Sequence, residues 1–408
     1  MEREYQSTHP WITFELNLQG ASPLLWMLLG EAKSKCEHIA GTPLRPTVAN
    51  ELHKLFLAKG ASATTAIEGN PLSEEQVRAN IDGKLHLPPS QQYLKQEVDN
   101  VLMGYKHISR RVARGTLNKL APEVFTFYNK LVLRDLPLGE GVVPGEITHQ
   151  VTVGDYRGAP REDCMYLMGR LSDWLEGPSF NHPSIHPTIL AILKAIVLHL
   201  YIAWIHPFGD GNGRTARLLE FRALMEAGIP SPAAHLLSSH YNQTRSEYYR
   251  LLSYSSKSGG DILPFIQYAV QGFVDGLKGQ LSLIREQQLD VAWRSVIFGA
   301  FKDKHSKADI RMRTLVWEIS KQNSEVEISK IRDVSLLVFK EYKDLSDRTI
   351  WRDLEELASQ KLIAYSKDRK RVKASKELVH AFLPARRIEI ANWQAVEVLN
   401  TNLSTRLE

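Results

Sequence analysis

The chain has 408 residues, 43% of them hydrophobic and 24% charged, which is ample for a buried core and for two or three domains. Its two cysteines, Cys36 and Cys164, cannot build a disulfide framework or a zinc site by themselves, so a reducing compartment is expected. The net charge of +5 is unevenly placed: residues 302–376 carry nineteen Lys/Arg against thirteen Asp/Glu, leaving the remainder near −1. The first residues, Met1-Glu-Arg-Glu-Tyr-Gln, do not begin with a basic start and an apolar run, so no signal peptide is expected and a cytoplasmic location is.

In chain order, Trp11 to Leu16 alternates briefly, and an apolar helical run follows around Leu24 to Ile39. Leu52, Leu55 and Phe56 fall at helix spacing and lead to Thr64-Thr-Ala-Ile-Glu68, closed by the stop signal Gly69-Asn70-Pro71. Ser73 and Gln76 predict a capping box on the next helix. Read alone, Glu68 is a solvated residue before a helix end.

Helical spacing recurs over Gln91 to Arg111 and Ala121 to Leu133. Residues 145–160 break it: Gln150 to Val153 alternates like a strand and Gly154-Asp155 can turn it into a short hairpin. Pro187 then opens an apolar helix through Ile205; Lys194 and His199 interrupt it, so a buried core helix is expected rather than a membrane span.

That helix delivers His206-Pro-Phe-Gly-Asp-Gly-Asn-Gly-Arg-Thr-Ala-Arg217. Glycines at 209, 211 and 213 let backbone N–H groups approach an anion, and a helix resuming at Asn212 aims its first donors at the same point. Arg214 and Arg217 lie three apart and can fork onto successive phosphates. Asp210, the only carboxylate of the loop, suits a Mg²⁺ ion shared with phosphate oxygens. His206 has a near-neutral pKa fit for a general base.

Residue for residue, this stretch resembles the HPFxDGNGRxxR signature of Fic-domain proteins, whose common activity is transfer of AMP from ATP to a protein hydroxyl. The resemblance implies a mainly α fold, a Fic-type helical bundle with a small β-hairpin flap that holds the target by strand addition. Ile147-Thr148 departs from the family's pattern there. It further implies His206 as the catalytic base, Asp210 as the metal ligand, and a nucleotide site of Gly211, Asn212, Gly213, Arg214, Thr215, Ala216 and Arg217. Arg214 would meet the β-phosphate and Arg217 the γ-phosphate. Residues 238–252 resemble the segment closing the adenine side, which makes Tyr248 and Tyr249 candidates. Thr64 and Glu68 match the family's inhibitory motif [ST]xxxE[GN], in which the glutamate pairs with the second arginine, here Arg217. ATP and Mg²⁺ are the implied cofactors, and a target protein with a Ser, Thr or Tyr hydroxyl, itself included, the implied partner. Removal of AMP, or transfer of another phosphate-containing group, stays open on the same loop.

Beyond a helical tract from Ile262 to about Phe301, helices are expected near Arg311–Gln322, Ile328–Tyr342 and Leu345–Leu357, then a basic hairpin from Leu362 to Lys373. This order resembles a winged helix-turn-helix domain, with Arg348 and Arg352 on its recognition helix as candidate contacts to double-stranded DNA. Nucleotide sensing by a DNA-binding regulator is therefore the rival reading. The expected divisions are 1–110 with the inhibitory motif, 111–301 the catalytic core, 302–376 the winged-helix-like domain and 377–408 a tail without legible chemistry. No membrane partner is expected, and a homodimer is left open.

Overall fold

Helix-forming stretches separated by Pro, Gly and Ser/Thr caps fix the architecture. In the computed structural model, residues 3–322, 324–376 and 379 are described. The chain divides into two compact units, Met1–Leu281 and Ser282–Glu408. The expected boundary at 302 falls later in the chain than this division, because Trp293, Ile297 and Phe301 belong to the second unit's core. The tail expected over 377–408 lies outside the described residues apart from Val379.

The first unit contains α1 (Glu4–Thr8), α2 (Pro23–Ala40), α3 (Pro46–Ile67), α4 (Glu74–Ile81), α5 (Gln92–Ala113), α6 (Pro122–Val132), α7 (Arg161–Leu175), α8 (Pro187–Ile205), α9 (Asn212–Glu226), α10 (Ser231–Ala234), α11 (Leu236–Gln243) and α12 (Arg245–Lys257). The helix α13 (Leu263–Ala300) begins in this unit and runs into the next. Proline at the first turn starts α2, α3, α6 and α8, where its missing N–H costs nothing. The Ser73–Gln76 capping box opens α4 as expected. Trp11 to Leu16 does not form a strand; it runs as a strap with Phe14 at φ 59° and its N–H donated to the Tyr201 hydroxyl.

Helix α8 is the centre. By length and composition it could cross a membrane, but protein covers 72% of it, and Leu193, Ile196, Val197, Leu200 and Ile202 are fully buried. It packs most heavily on α9, so the loop between the two is gripped from both ends. The expected hairpin forms as β1 (Thr152–Val153) and β2 (Tyr156–Arg157), turning at Gly154 with φ 56°.

The second unit holds α14 (Lys307–Ser320), α15 (Leu336–Tyr342), α16 (Asp347–Ser359) and a three-stranded antiparallel sheet in the order β3 (Val326–Glu327), β5 (Arg371–Ala374), β4 (Ile363–Tyr365). The single helix expected over Ile328–Tyr342 is two pieces, a 3₁₀ turn Ile328–Asp333 and α15, divided where Ser335 caps α15. Strand β3 is not legible in the sequence, being only two residues long. Ile350, Leu354 and Leu357 form the buried face of α16 as their spacing predicts.

Candidate active site

The loop His206–Gly211 is shaped by two left-handed backbone positions and one asparagine. His206 ends α8 at φ 48°, a conformation costly for a side chain with a Cβ, while its N–H still bonds the Ile202 carbonyl at 2.9 Å. Gly211 precedes α9 at φ 75°, and the space where its Cβ would stand is taken by Leu133 and Asn129. Asn212 clasps the turn between them: its Nδ2 donates to the Phe208 carbonyl at 2.6 Å and its Oδ1 accepts the Phe208 N–H at 3.0 Å. Phe208 is wholly buried and anchors the loop.

The His206 Nδ1 lies 3.3 Å from the Ala203 carbonyl, which only accepts, so Nδ1 carries the hydrogen and Nε2 keeps a lone pair. Burial pushes the His206 pKa below its ordinary 6.5, against the opposing pull of the Ala203 carbonyl, Glu68 and Asp210. The neutral, proton-accepting form therefore prevails at pH 7. Behind it, the Tyr156 hydroxyl donates to the Trp204 carbonyl at 2.6 Å and the Ala159 N–H to the Ile205 carbonyl at 3.0 Å. The flap is thus fastened to the helix end that carries His206.

Both arginines are held by carboxylates through their terminal nitrogens, while the buried Nε of each has no partner among the described residues. Arg217, 1% exposed, donates from Nη2 to the Glu68 carboxylate at 2.5 Å and to the Thr64 carbonyl at 3.0 Å. Burial would raise the Glu68 carboxyl, but the charge and hydrogen bond of Arg217, with Arg214 and His206 behind, hold it below its ordinary value. Arg214 donates from Nη1 to Glu97 at 2.7 Å and from Nη2 to Asp210 at 3.0 Å. Gly213 is required by this closed arrangement: an added Cβ would strike the Glu68 carboxylate and stand 3.1 Å from Arg217 Nη1.

A cavity of about 950 Å³ opens over the loop. His206, Gly209 to Gly213, Arg217 and Glu68 line one side, with Tyr248, Tyr249 and Lys257 of α12 and β1–β2 of the flap around it. No side chain caps α9, so its first N–H groups are available to an anion. Not every expected ligand reaches the cavity. Thr215 and Ala216 are fully buried away from it, Thr215 within 3.3 Å of Asn129 Nδ2. Asn212 offers only its backbone, since its side chain is spent on Phe208. Arg214 sits behind the wall and reaches the cavity edge through Asp210.

Tyr248 lines the cavity, yet its ring is 3% exposed, stacked on Tyr241 at 4.9 Å with its hydroxyl 2.9 Å from His199 Nε2. It is first a core residue. Tyr249, 47% exposed, stands on the rim with its hydroxyl 3.4 Å from the Ile67 carbonyl. Thr64 is fully buried, its hydroxyl 3.1 Å from that of Tyr105, so the residue contributes its carbonyl rather than its side chain to Arg217. In the second unit Arg352 is 71% exposed along its side chain and Arg348 is exposed.

Two residues that sequence reasoning does not single out complete the site. Asn129 donates from Nδ2 to the Asp210 carbonyl at 2.8 Å, and its Oδ1 accepts the Gly145 N–H at 2.8 Å, pinning the loop to the chain before the flap. Glu97 is the other, through Arg214. Both are polar residues on mostly apolar buried helix faces, Asn100 being the other polar residue on that of α5, and this is the signal by which they could be found.

Among the described residues no group of three or more His, Cys, Asp or Glu side chains gathers as a protein-only metal cage. Asp210, 46% exposed at the cavity wall, fits an ion that takes its other ligands from phosphate and water, as Mg²⁺ does.

Fold and site together define a helical domain with a glycine-rich loop, an uncapped helix N-terminus and a neutral histidine beside it. Residues 121–224 match the profile of the Fic/DOC family, and the chain contains a Fic/DOC domain. It is 29% identical over 210 residues to the protein adenylyltransferase Fic of Nematostella vectensis, covering 51% of this chain and 45% of that protein. It is 30% identical over 209 residues to the protein adenylyltransferase fic-1 of Caenorhabditis elegans, covering 51% and 38%. The chain thus spans less than half the length of these relatives. Among solved structures, a Fic family protein from Desulfovibrio desulfuricans G20 superposes with a TM-score of 0.53 at 20% identity, over 88% of this chain and 98% of that one. Fic-1 of C. elegans (residues 134–508) gives 0.52 at 23%, over 64% and 73%. These likenesses concern the fold.

Proposed function

We propose that the chain is a protein adenylyltransferase, moving AMP from MgATP to a Ser, Thr or Tyr hydroxyl of a protein, and that Glu68 holds this activity off. The observation that carries the reading is Arg217: a buried guanidinium near the start of α9, facing the cavity beside His206, with its anion position filled by the carboxylate of Glu68. A carboxylate there takes the donors that a γ-phosphate needs and repels the triphosphate.

With Glu68 withdrawn, the first N–H groups of α9 and the two arginines bind the phosphates. The acceptor oxygen attacks the α-phosphorus while His206 Nε2 takes its proton. The bond from the α-phosphorus to the bridging oxygen breaks, and pyrophosphate leaves with that electron pair. Mg²⁺ held by Asp210 and phosphate oxygens would supply charge neutralisation there. The flap, tied to Trp204 and Ile205, aligns the acceptor segment with the base.

Labelled ATP tests this. Protein in a lysate, or the chain itself, should gain label from the α-phosphate and the mass of one AMP when Glu68→Gly is supplied. Label arriving from the γ-phosphate would contradict AMP transfer and indicate kinase-like chemistry; net loss of AMP from a modified protein would indicate removal instead.

For the second unit we propose contact with the phosphates of duplex DNA. The support is the exposure of Arg348 and Arg352 on one helix and of Lys370 and Arg371 at the hairpin. Pairing of Arg369 with Glu355 and of Arg332 with Asp347 weakens the field, so the contact is expected to be salt-sensitive and modest.

A further inference from the structure

A buried polar cluster behind the loop carries a charge that the mechanism above leaves unused. Glu97 lies on the same stripe of α5 as Leu94 and Val101 and is 9% exposed. Its two carboxylate oxygens serve two donors: Oε1 accepts from Arg214 Nη1 at 2.7 Å, and Oε2 from Asn70 Nδ2 at 2.8 Å. The orientation of the Asn70 amide is fixed independently. Its Oδ1 accepts the Leu72 N–H at 3.0 Å, which leaves Nδ2 for Glu97 and for the Leu94 carbonyl at 2.9 Å. Asn70 stands two residues after Glu68, across Gly69 at φ 100°. One short segment therefore reaches Arg217 directly through Glu68, and Arg214 through Asn70 and Glu97.

A carboxylate at this depth is tolerated because both oxygens are bonded. Arg214 is a planar fork, so holding one end of it fixes the direction of the other. We propose that Glu97 is a positioning residue: it grips Nη1 of Arg214 so that Nη2, on Asp210 in this state, is aimed at the β-phosphate, and Asn70 ties that aim to the segment bearing Glu68. This rests on the reading of Arg214 as the β-phosphate ligand.

Replacing Glu97 by glutamine separates positioning from bulk. A glutamine has one accepting oxygen, whereas both neighbours donate, so Glu97→Gln must release Arg214 or face the Asn70 amide donor to donor. Asn70→Asp in that background gives the new amide an acceptor and returns its oxygen to Arg214, but it also loses the donor to the Leu94 carbonyl, so the rescue is partial.

The test is isothermal titration of Glu68→Gly protein with MgADP and with AMP, alone and with the added substitutions, circular dichroism reporting the fold. The expected result is tighter binding of ADP than AMP by Glu68→Gly, and about a tenfold loss for ADP alone on adding Glu97→Gln, the scale of one charge-assisted hydrogen bond. Adding Asn70→Asp should recover part of that loss. Equal losses for both nucleotides, or none, would overturn the proposal, and so would a Glu68→Gly protein that does not prefer ADP. Should Glu97→Gln not fold, Asn70→Ala strips the donor from Glu97 Oε2 and so frees the angle at which the carboxylate holds Arg214; ADP binding alone should weaken, and an unchanged ADP to AMP ratio would overturn the Asn70–Glu97–Arg214 linkage. Transfer of α-label by the Glu68→Gly protein is scored separately and reports on the reaction, not on Glu97.

Discussion

Two pairs of arginines sit on two helices of this protein in opposite surroundings. Arg214 and Arg217 are buried near the start of α9 and meet carboxylates at 3.0 Å or less, whereas Arg348 and Arg352 on α16 are exposed, the nearest carboxylate to Arg352 being 3.5 Å away. On the function proposed above, the difference separates a gated site from a surface field. A buried ion pair adds little net stability over an apolar replacement, but losing one partner costs about 3–5 kcal/mol, so another anion is strongly recruited when the carboxylate leaves. Exposed guanidinium groups keep their water and contribute through screened, long-range attraction.

The largest expected effect breaks the chemistry next to the buried pair. His206→Ala in the Glu68→Gly background should reduce transfer by about 10²–10⁴-fold with nucleotide affinity retained, read from α-label incorporation and titration. Releasing the gate comes next. Glu68→Gly should raise transfer on the order of 5- to 150-fold, a coupling typical of a two-state switch, and ATP should raise its melting temperature more than that of the wild type.

The pH profile sharpens the same site. Because burial places the folded His206 pKa below 6.5, and the base works only when neutral, transfer should be level above that value and fall about tenfold per pH unit below the lowered midpoint. Glu68 raises that pKa, so its removal should move the midpoint further down. A midpoint above 6.5 would contradict the assignment.

Gly213 gives a stability test. Gly213→Ala should cost about 1–3 kcal/mol by displacing the Glu68 carboxylate, and much less when Glu68 is already alanine, measured as a double-mutant cycle by denaturant unfolding. Additive losses would place the strain elsewhere. The smallest effect belongs to the exposed pair. Arg348→Ala with Arg352→Ala should change stability by no more than about 0.5 kcal/mol and lower the salt slope of duplex binding by about one for each phosphate no longer neutralised.

What is legible in the sequence follows from distance along the chain. The loop is contiguous, so glycine spacing, the histidine and both arginines can be read from twelve residues. Glu68, distant from Arg217 in the chain, becomes legible only through the inhibitory motif. The partners of Arg214 and of the Asp210 carbonyl are not legible, because α5 and α6 bring Glu97 and Asn129 to the loop by packing, which local periodicity does not encode. Thr215 and Ala216 fail as ligands for a related reason: in the opening turns of α9 side chains fan round the axis, and these two face the core. Tyr248 likewise follows its neighbours Tyr241 and His199 into the core.

The central claim is that one carboxylate keeps an otherwise complete AMP-transfer site closed. Its most direct test compares α-label incorporation by wild type, Glu68→Gly and Glu68→Gly/His206→Ala at equal concentration in one lysate. Weak, strong and vanishing label are expected in that order; equal label from wild type and Glu68→Gly, or none from a folded Glu68→Gly, would contradict the claim.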